Sequence, residues 1–170
     1  IVRLGEDLLY QISNSGNMNG YFWMQSTLGD KYKIHLCQGF YLYSHFDSTV
    51  LPLRPGLVLF NGDRLSPDFY PPIFKNWDKI FFPGKEVIDI GSSLDNGIST
   101  CSKYVGLNLL SVNEELIIID QNQEELRKVI EEYGIETIGL PMRHARTLNG
   151  GFHCVTLDLK RKGDLQSYFN

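Results

Sequence analysis

An α/β fold assembled from repeated strand–helix–strand units is what this sequence predicts, and three observations predict it. Short β-branched runs such as Leu116-Ile117-Ile118-Ile119-Asp120 have the length and composition of strands buried on both faces. A segment with helical periodicity follows that run, and a second β-rich run follows the segment. The same order recurs three times, in units of about 45 to 55 residues, each too small to bury its own faces alone. A doubly wound α/β sheet is the simpler alternative. The 170 residues, 42% hydrophobic and 12% aromatic, have the composition of a globular domain rather than of a disordered or fibrous chain.

In the first unit, Leu8 to Ile12 reads as a strand, Asn14-Ser15-Gly16-Asn17 as a turn, Tyr21 to Leu28 as a helix, and Lys33 to Cys37 as another strand. The second unit begins with a strand at Leu57 to Phe60, closed by the turn Asn61-Gly62-Asp63. Its helix candidate, Asp68 to Trp77, is damaged by Pro71-Pro72, and its last strand, Lys79 to Phe82, stops at Pro83-Gly84. Gly91 to Gly97 reads as a surface loop, too short to separate domains. In the third unit, Asn122 and Glu125 form a capping box for a helix whose apolar stripe is Leu126, Val129, Ile130 and Tyr133. Gly134 supplies the left-handed residue that ends it, and Thr137 to Leu140 is the following strand.

Charge and cysteine usage narrow the function classes. Sixteen Lys and Arg against twenty Asp and Glu give a formal charge of −4 with no basic block, which argues against a nucleic-acid partner. No apolar run reaches the roughly 20 residues needed to cross a bilayer. The start, Ile1 to Asp7, has neither a signal-peptide h-region nor an initiator Met, and reads as the interior of a longer chain. Cys37, Cys101 and Cys154 are an odd number, which favours thiols in a reducing compartment and a cytoplasmic location over a disulfide framework.

Two segments join reactive residues to loop-forming ones. In Arg146 to Cys154, a glycine-containing turn delivers Cys154 to the start of a predicted strand, Val155 to Leu159. A thiol there is either a nucleophile, given a neighbouring cation to ionise it, or a buried small hydrophobe. In Ser44-His45-Phe46-Asp47-Ser48, alternation puts His45 and Asp47 on one side of an extended chain. Such a pair can transfer protons near neutral pH and bind a cationic group, or can be a surface histidine in a polar loop. The spacing of His35, Cys37, His45, His153 and Cys154 contains no C-x-x-C and argues against a structural zinc site. Asn149-Gly150-Gly151 lacks both phosphate-loop fingerprints, and Lys160-Arg161-Lys162 reads as a solvated strand end.

The stretch Met142 to Asp158, with Gly150-Gly151-Phe152-His153-Cys154 at its centre, and the tail Gly163-Asp164-Leu165-Gln166-Ser167-Tyr168 strongly resemble the end of the amidinotransferases. The likeness extends upstream over nearly all of the chain. It implies that Cys154 is the catalytic cysteine, that His45 in the H-x-D segment is the catalytic histidine, and that Asp47 grips the substrate guanidinium. Arg3-Leu4-Gly5-Glu6-Asp7 resembles an R-x-G-x-D segment, which makes Asp7 the carboxylate paired with that histidine. Arg64, after Asn61-Gly62-Asp63, sits where the family binds the α-carboxylate of arginine, and Ser102 matches a serine that assists there. The glycine-using enzymes carry Asn and Met where this chain has Leu42 and Ser44, so the resemblance implies an acceptor bulkier than glycine, as in the saxitoxin and cylindrospermopsin pathways.

The fold implied is a five-bladed α/β propeller, the pentein fold, of ββαβ modules, with residues 1–170 forming the C-terminal part of one catalytic domain. The activity implied is ping-pong transfer of an amidino group from L-arginine to a small-molecule primary amine, by a homodimer as is common in the family, with no metal or organic cofactor. Two other readings stand beside it: a deiminase-like hydrolase that needs no amine acceptor, and a fragment that binds guanidines without turning them over.

Overall fold

The computed structural model describes residues 1–43, 45–84, 102–143 and 150–169, and three three-stranded sheets follow one another along the chain. In the first, β1 (Val2–Leu4) pairs antiparallel with β2 (Asp7–Gln11), and β2 pairs parallel with β3 (Lys33–Cys37). A parallel pair needs a crossover, which α1 (Met18–Leu28) provides. Asn17 caps it, its Oδ1 accepting from the Gly20 amide at 3.0 Å. Tyr21, Met24 and Leu28 then fall on one helical face and pack on Leu8, Tyr10 and Ile34 of the sheet.

The second sheet holds β4 (Val50–Arg54), β5 (Leu57–Asn61) and β6 (Asp78–Phe82), in that order. The register slips between Pro52 and Arg54, where proline cannot donate to the ladder. No α-helix forms over Asp68 to Trp77; Pro71 and Pro72 leave a single 3₁₀ turn, Pro72–Phe74.

The third sheet repeats the first: β7 (Leu110–Asn113) antiparallel to β8 (Leu116–Asp120), and β8 parallel to β9 (Glu136–Leu140) across α2 (Glu124–Glu132). Leu126 and Ile130 are the buried residues of α2, and Gly134 turns the chain out at φ 74°. The N-cap is Gln123 rather than Asn122, because Asp120 Oδ1 accepts from both the backbone and the side-chain amide of Asn122 at 3.2 Å. The strand expected over Val155 to Leu159 does not form. Residues 152–155 are turns instead, and the alternating Val155, Leu157 and Leu159 are exposed. The loop expected at Gly91 to Gly97 lies outside the described residues.

The chain divides into two units, Ile1–Phe81 with Arg161–Asn170, and Phe82–Lys160. The core of the first gathers Leu4, Leu9, Phe46, Val58, Phe60 and Phe74. Its tail docks on β1–β2 and on Trp77: the Glu6 amide donates to Gln166 O at 3.0 Å, and Phe169 stacks on Trp77 with centroids 4.8 Å apart. Gly5, at φ 62°, permits this approach, since a Cβ there would stand 2.1 Å from Gln166 O. In the second unit Ile117, Ile119, Leu126, Ile130 and Ile135 are almost wholly buried. Among the described residues, no helix is long and apolar enough to cross a membrane.

Candidate active site

The segment between β3 and β4 carries the histidine and the carboxylate. Phe46, 2% exposed, anchors a 3₁₀ turn (Phe46–Ser48) in the core of the first unit, which leaves His45 exposed and Asp47 half-buried on either side of it. A ring nitrogen of His45 and a carboxylate oxygen of Asp47 lie within 4.8 Å of each other. Ser48 Oγ donates to His45 O at 3.1 Å and holds the turn closed. An imidazole and a carboxylate at this separation can serve proton transfer and cation binding; they are also donor types that a divalent metal accepts.

Arg64 reaches the same turn from the loop after β5. Its Nη1 donates to Thr49 Oγ1 at 2.5 Å and Ser48 Oγ at 3.1 Å, and its guanidinium lies 3.9 Å from the centroid of the Tyr41 ring. Asn61, fully buried, ties the two loops together. Its Nδ2 donates to Ser48 O at 3.2 Å, its Oδ1 accepts from the Asp63 amide at 3.0 Å, and its carbonyl accepts from the Arg64 amide. The result is a cation prepositioned beside the loop that bears Asp47.

Leu42 is 67% exposed on the strand-to-turn segment 41–43, which Gln11 clamps by donating to the carbonyls of Tyr41 and, at 3.1 Å, Tyr43. Ser44 lies outside the described residues. Asp7 departs from its expected role. Its Oδ1 bonds His35 Nε2 at 2.6 Å rather than His45, and its Oδ2 is buried with no partner among the described residues. The register explains this: Leu9 pairs with His35 across the parallel ladder, and Asp7, two residues before Leu9, faces the same side. Asp7 and His35 form a pair within the sheet. No local pattern identifies His35 as its partner, because the pairing depends on the register of the parallel ladder.

In the second unit, Cys154 is exposed at the end of the turn 150–154. That turn is wrapped around Asn108, which is 2% exposed. Ser102, exposed, opens the segment leading to Asn108; its Oγ accepts from the Tyr104 amide at 3.2 Å, and a 3₁₀ turn (Val105–Leu107) follows. Neither Asn61 nor Asn108 stands out in the sequence, because each acts by joining loops far apart along the chain.

Comparison with known proteins places the chain. No protein-family model matches it. It is 46% identical over 168 residues to inosamine-phosphate amidinotransferase 1 of Streptomyces glaucescens, covering 99% of this chain and 47% of that protein. Among solved structures, the inosamine-phosphate amidinotransferase of Streptomyces griseus superposes with a TM-score of 0.89 at 43% identity, over 99% of this chain and 47% of that one. An amidinotransferase of the saxitoxin biosynthetic pathway from Microseira wollei superposes with a TM-score of 0.86 at 34% identity, over 99% of this chain and 46% of that one. The chain thus spans about half the length of the relatives it matches, and over that span it is homologous to amidinotransferases in sequence and in structure.

Proposed function

We propose that the protein transfers an amidino group from L-arginine to a primary amine through a covalent amidino-Cys154 intermediate. The observation that supports this reading most is the pairing, in one unit, of Asp47 beside His45 with an Arg64 already held by Tyr41, Ser48 and Thr49. A carboxylate and a guanidinium from neighbouring loops suit the two charged ends of an amino-acid donor: Asp47 takes the guanidinium and Arg64 the α-carboxylate. Ser102 assists at that carboxylate end. Leu42 and Ser44 shape the acceptor pocket for an amine bulkier than glycine. The likeness to an amidinotransferase of the saxitoxin biosynthetic pathway, at 34% identity, supports a role in secondary-metabolite or toxin biosynthesis.

In this reading the Cys154 thiolate attacks the guanidinium carbon. The bond from that carbon to the δ-nitrogen breaks, His45 delivers a proton to the departing nitrogen, and ornithine leaves. An amine acceptor then attacks the amidino carbon, His45 takes its proton, and the carbon–sulfur bond breaks to return the thiolate. Every step balances without a metal or a redox partner. Water must be kept from the intermediate, because hydrolysis would release urea and waste the donor.

We infer also that residues 1–170 are the C-terminal part of one catalytic domain and that their three sheets belong to a five-module propeller. The two complete ββαβ repeats support this. Product analysis of the full-length protein with arginine and an amine separates the alternatives. Ornithine formed beyond one equivalent per enzyme only when an acceptor amine is present supports transfer; citrulline formed without one identifies a deiminase-like hydrolase; binding without either product identifies a guanidine-binding module.

A further inference from the structure

Asn108 lies at the centre of the turn that ends in Cys154. Its Oδ1 accepts two backbone N–H groups, from Gly151 at 3.1 Å and from Cys154 itself at 3.0 Å, and its carbonyl is approached by the His153 amide at 3.4 Å. Asn108 is buried, so the bond from Gly151 is shielded from competing water and the bond from Cys154 is partly shielded. The glycines complete the fit. A Cβ on Gly151 would stand 2.7 Å from both Cβ and the carbonyl oxygen of Asn108, and one on Gly150 would stand 2.7 Å from Cys154 Cβ. The turn therefore closes on Asn108 only as Gly-Gly, and the backbone amide of Cys154 is set by a single side-chain oxygen.

The choice of amide has a chemical consequence. A carboxylate of the same shape would accept both N–H groups at least as well. It would also place a negative charge beside a sulfur that has to ionise, and a like charge nearby disfavours the thiolate. Asparagine supplies the acceptor without the charge.

We propose that Asn108 is the positioning residue of the Cys154 nucleophile, holding its backbone through Oδ1 and serving as a neutral acceptor so that the thiolate is not opposed. This rests on the reading of Cys154 as the nucleophile. Asn108 itself touches no substrate; it acts through the turn.

The test uses the full-length protein with Asn108→Ala, Asn108→Asp and Gly151→Ala, reading steady-state kinetics and the rate at which iodoacetamide alkylates Cys154, followed by peptide mass spectrometry. In N108A, kcat falls about a hundredfold, the order expected when a reacting group is misplaced by about 1 Å, while KM for arginine stays within about threefold. In N108D, alkylation at neutral pH slows about tenfold and recovers as the pH is raised, a signature of charge that a purely structural role would not produce. G151A leaves Asn108 intact but pushes the turn off it, and lowers kcat as N108A does; it carries the test if the Asn108 variants fail to fold. Wild-type kcat in N108A or in G151A, or an N108D alkylation profile superimposable on wild type, overturns the proposal. Alkylation needs no amidino transfer, so the N108D outcome remains readable if the proposed reaction fails. Failure of that reaction would show instead as turnover that survives Cys154→Ala.

Discussion

Cys37 and Cys154 occupy opposite environments. Cys37 ends β3 in the core of the first unit, 2% exposed, and burial pushes its thiol up to about 12. Cys154 is exposed on its turn. Iodoacetamide at pH 8 should therefore modify Cys154 in the native protein and reach Cys37 only after denaturation; native labelling of Cys37, read by peptide mapping, would contradict this. Arg64 makes a second prediction at this scale. If it binds the donor's α-carboxylate, Arg64→Ala should raise KM for arginine by about ten- to a hundredfold, the worth of a charge-assisted hydrogen bond, and should leave agmatine, which has no carboxylate, nearly unchanged. Equal losses for both donors would show that Arg64 only supports the fold. At this level the sequence was partly legible. His45, Asp47, Arg64 and Cys154 sit in motifs, whereas the partner of Asp7 depends on a parallel register that no local pattern displays. The roles of Asn61 and Asn108 depend likewise on which distant loops meet them.

Among the elements, legibility followed hydrophobic content. Strands β3 and β8 were readable as runs of five, because each carries at least three apolar side chains. Strands β1, β4 and β7 were not: β1 is three residues long, β4 contains Pro52, and β7 is half polar with no fully buried residue. The start of α2 moved by one residue because Asp120 competes for the Asn122 amides, a side-chain preference that the capping pattern does not register. Asp120 closes β8 fully buried, and burial holds its carboxyl above the ordinary carboxylate range despite the bonds from Asn122. The folded state therefore binds that proton more tightly than the unfolded chain. As pH rises from the unfolded value near 3.8 through the raised folded one, Asp120 loses stability to the protein rather than adding it. Asp120→Asn removes that dependence, so its stability relative to wild type, from urea unfolding, should improve between about pH 3.5 and pH 7. A difference that stays constant or shrinks over that range would refute the assignment.

At the scale of the whole molecule, the recurrence of strand order in the first and third sheets is the clearest trace of repetition. The second sheet keeps the strands and replaces the helix with a proline-bound 3₁₀ turn. The spacing of β-rich runs was enough to expect this, since repeats with a common strand order leave a common hydrophobic rhythm. The strand expected after Cys154 was not, since Val155, Leu157 and Leu159 alternate as a strand would but find no ladder among the described residues. The measurement that bears most directly on the central claim is intact and peptide mass spectrometry of the full-length protein incubated with isotopically labelled arginine. The predicted result is a labelled amidino adduct on the peptide containing Cys154, discharged when a primary amine is added and absent in Cys154→Ala. Labelled amine formed by Cys154→Ala at the wild-type rate would contradict it.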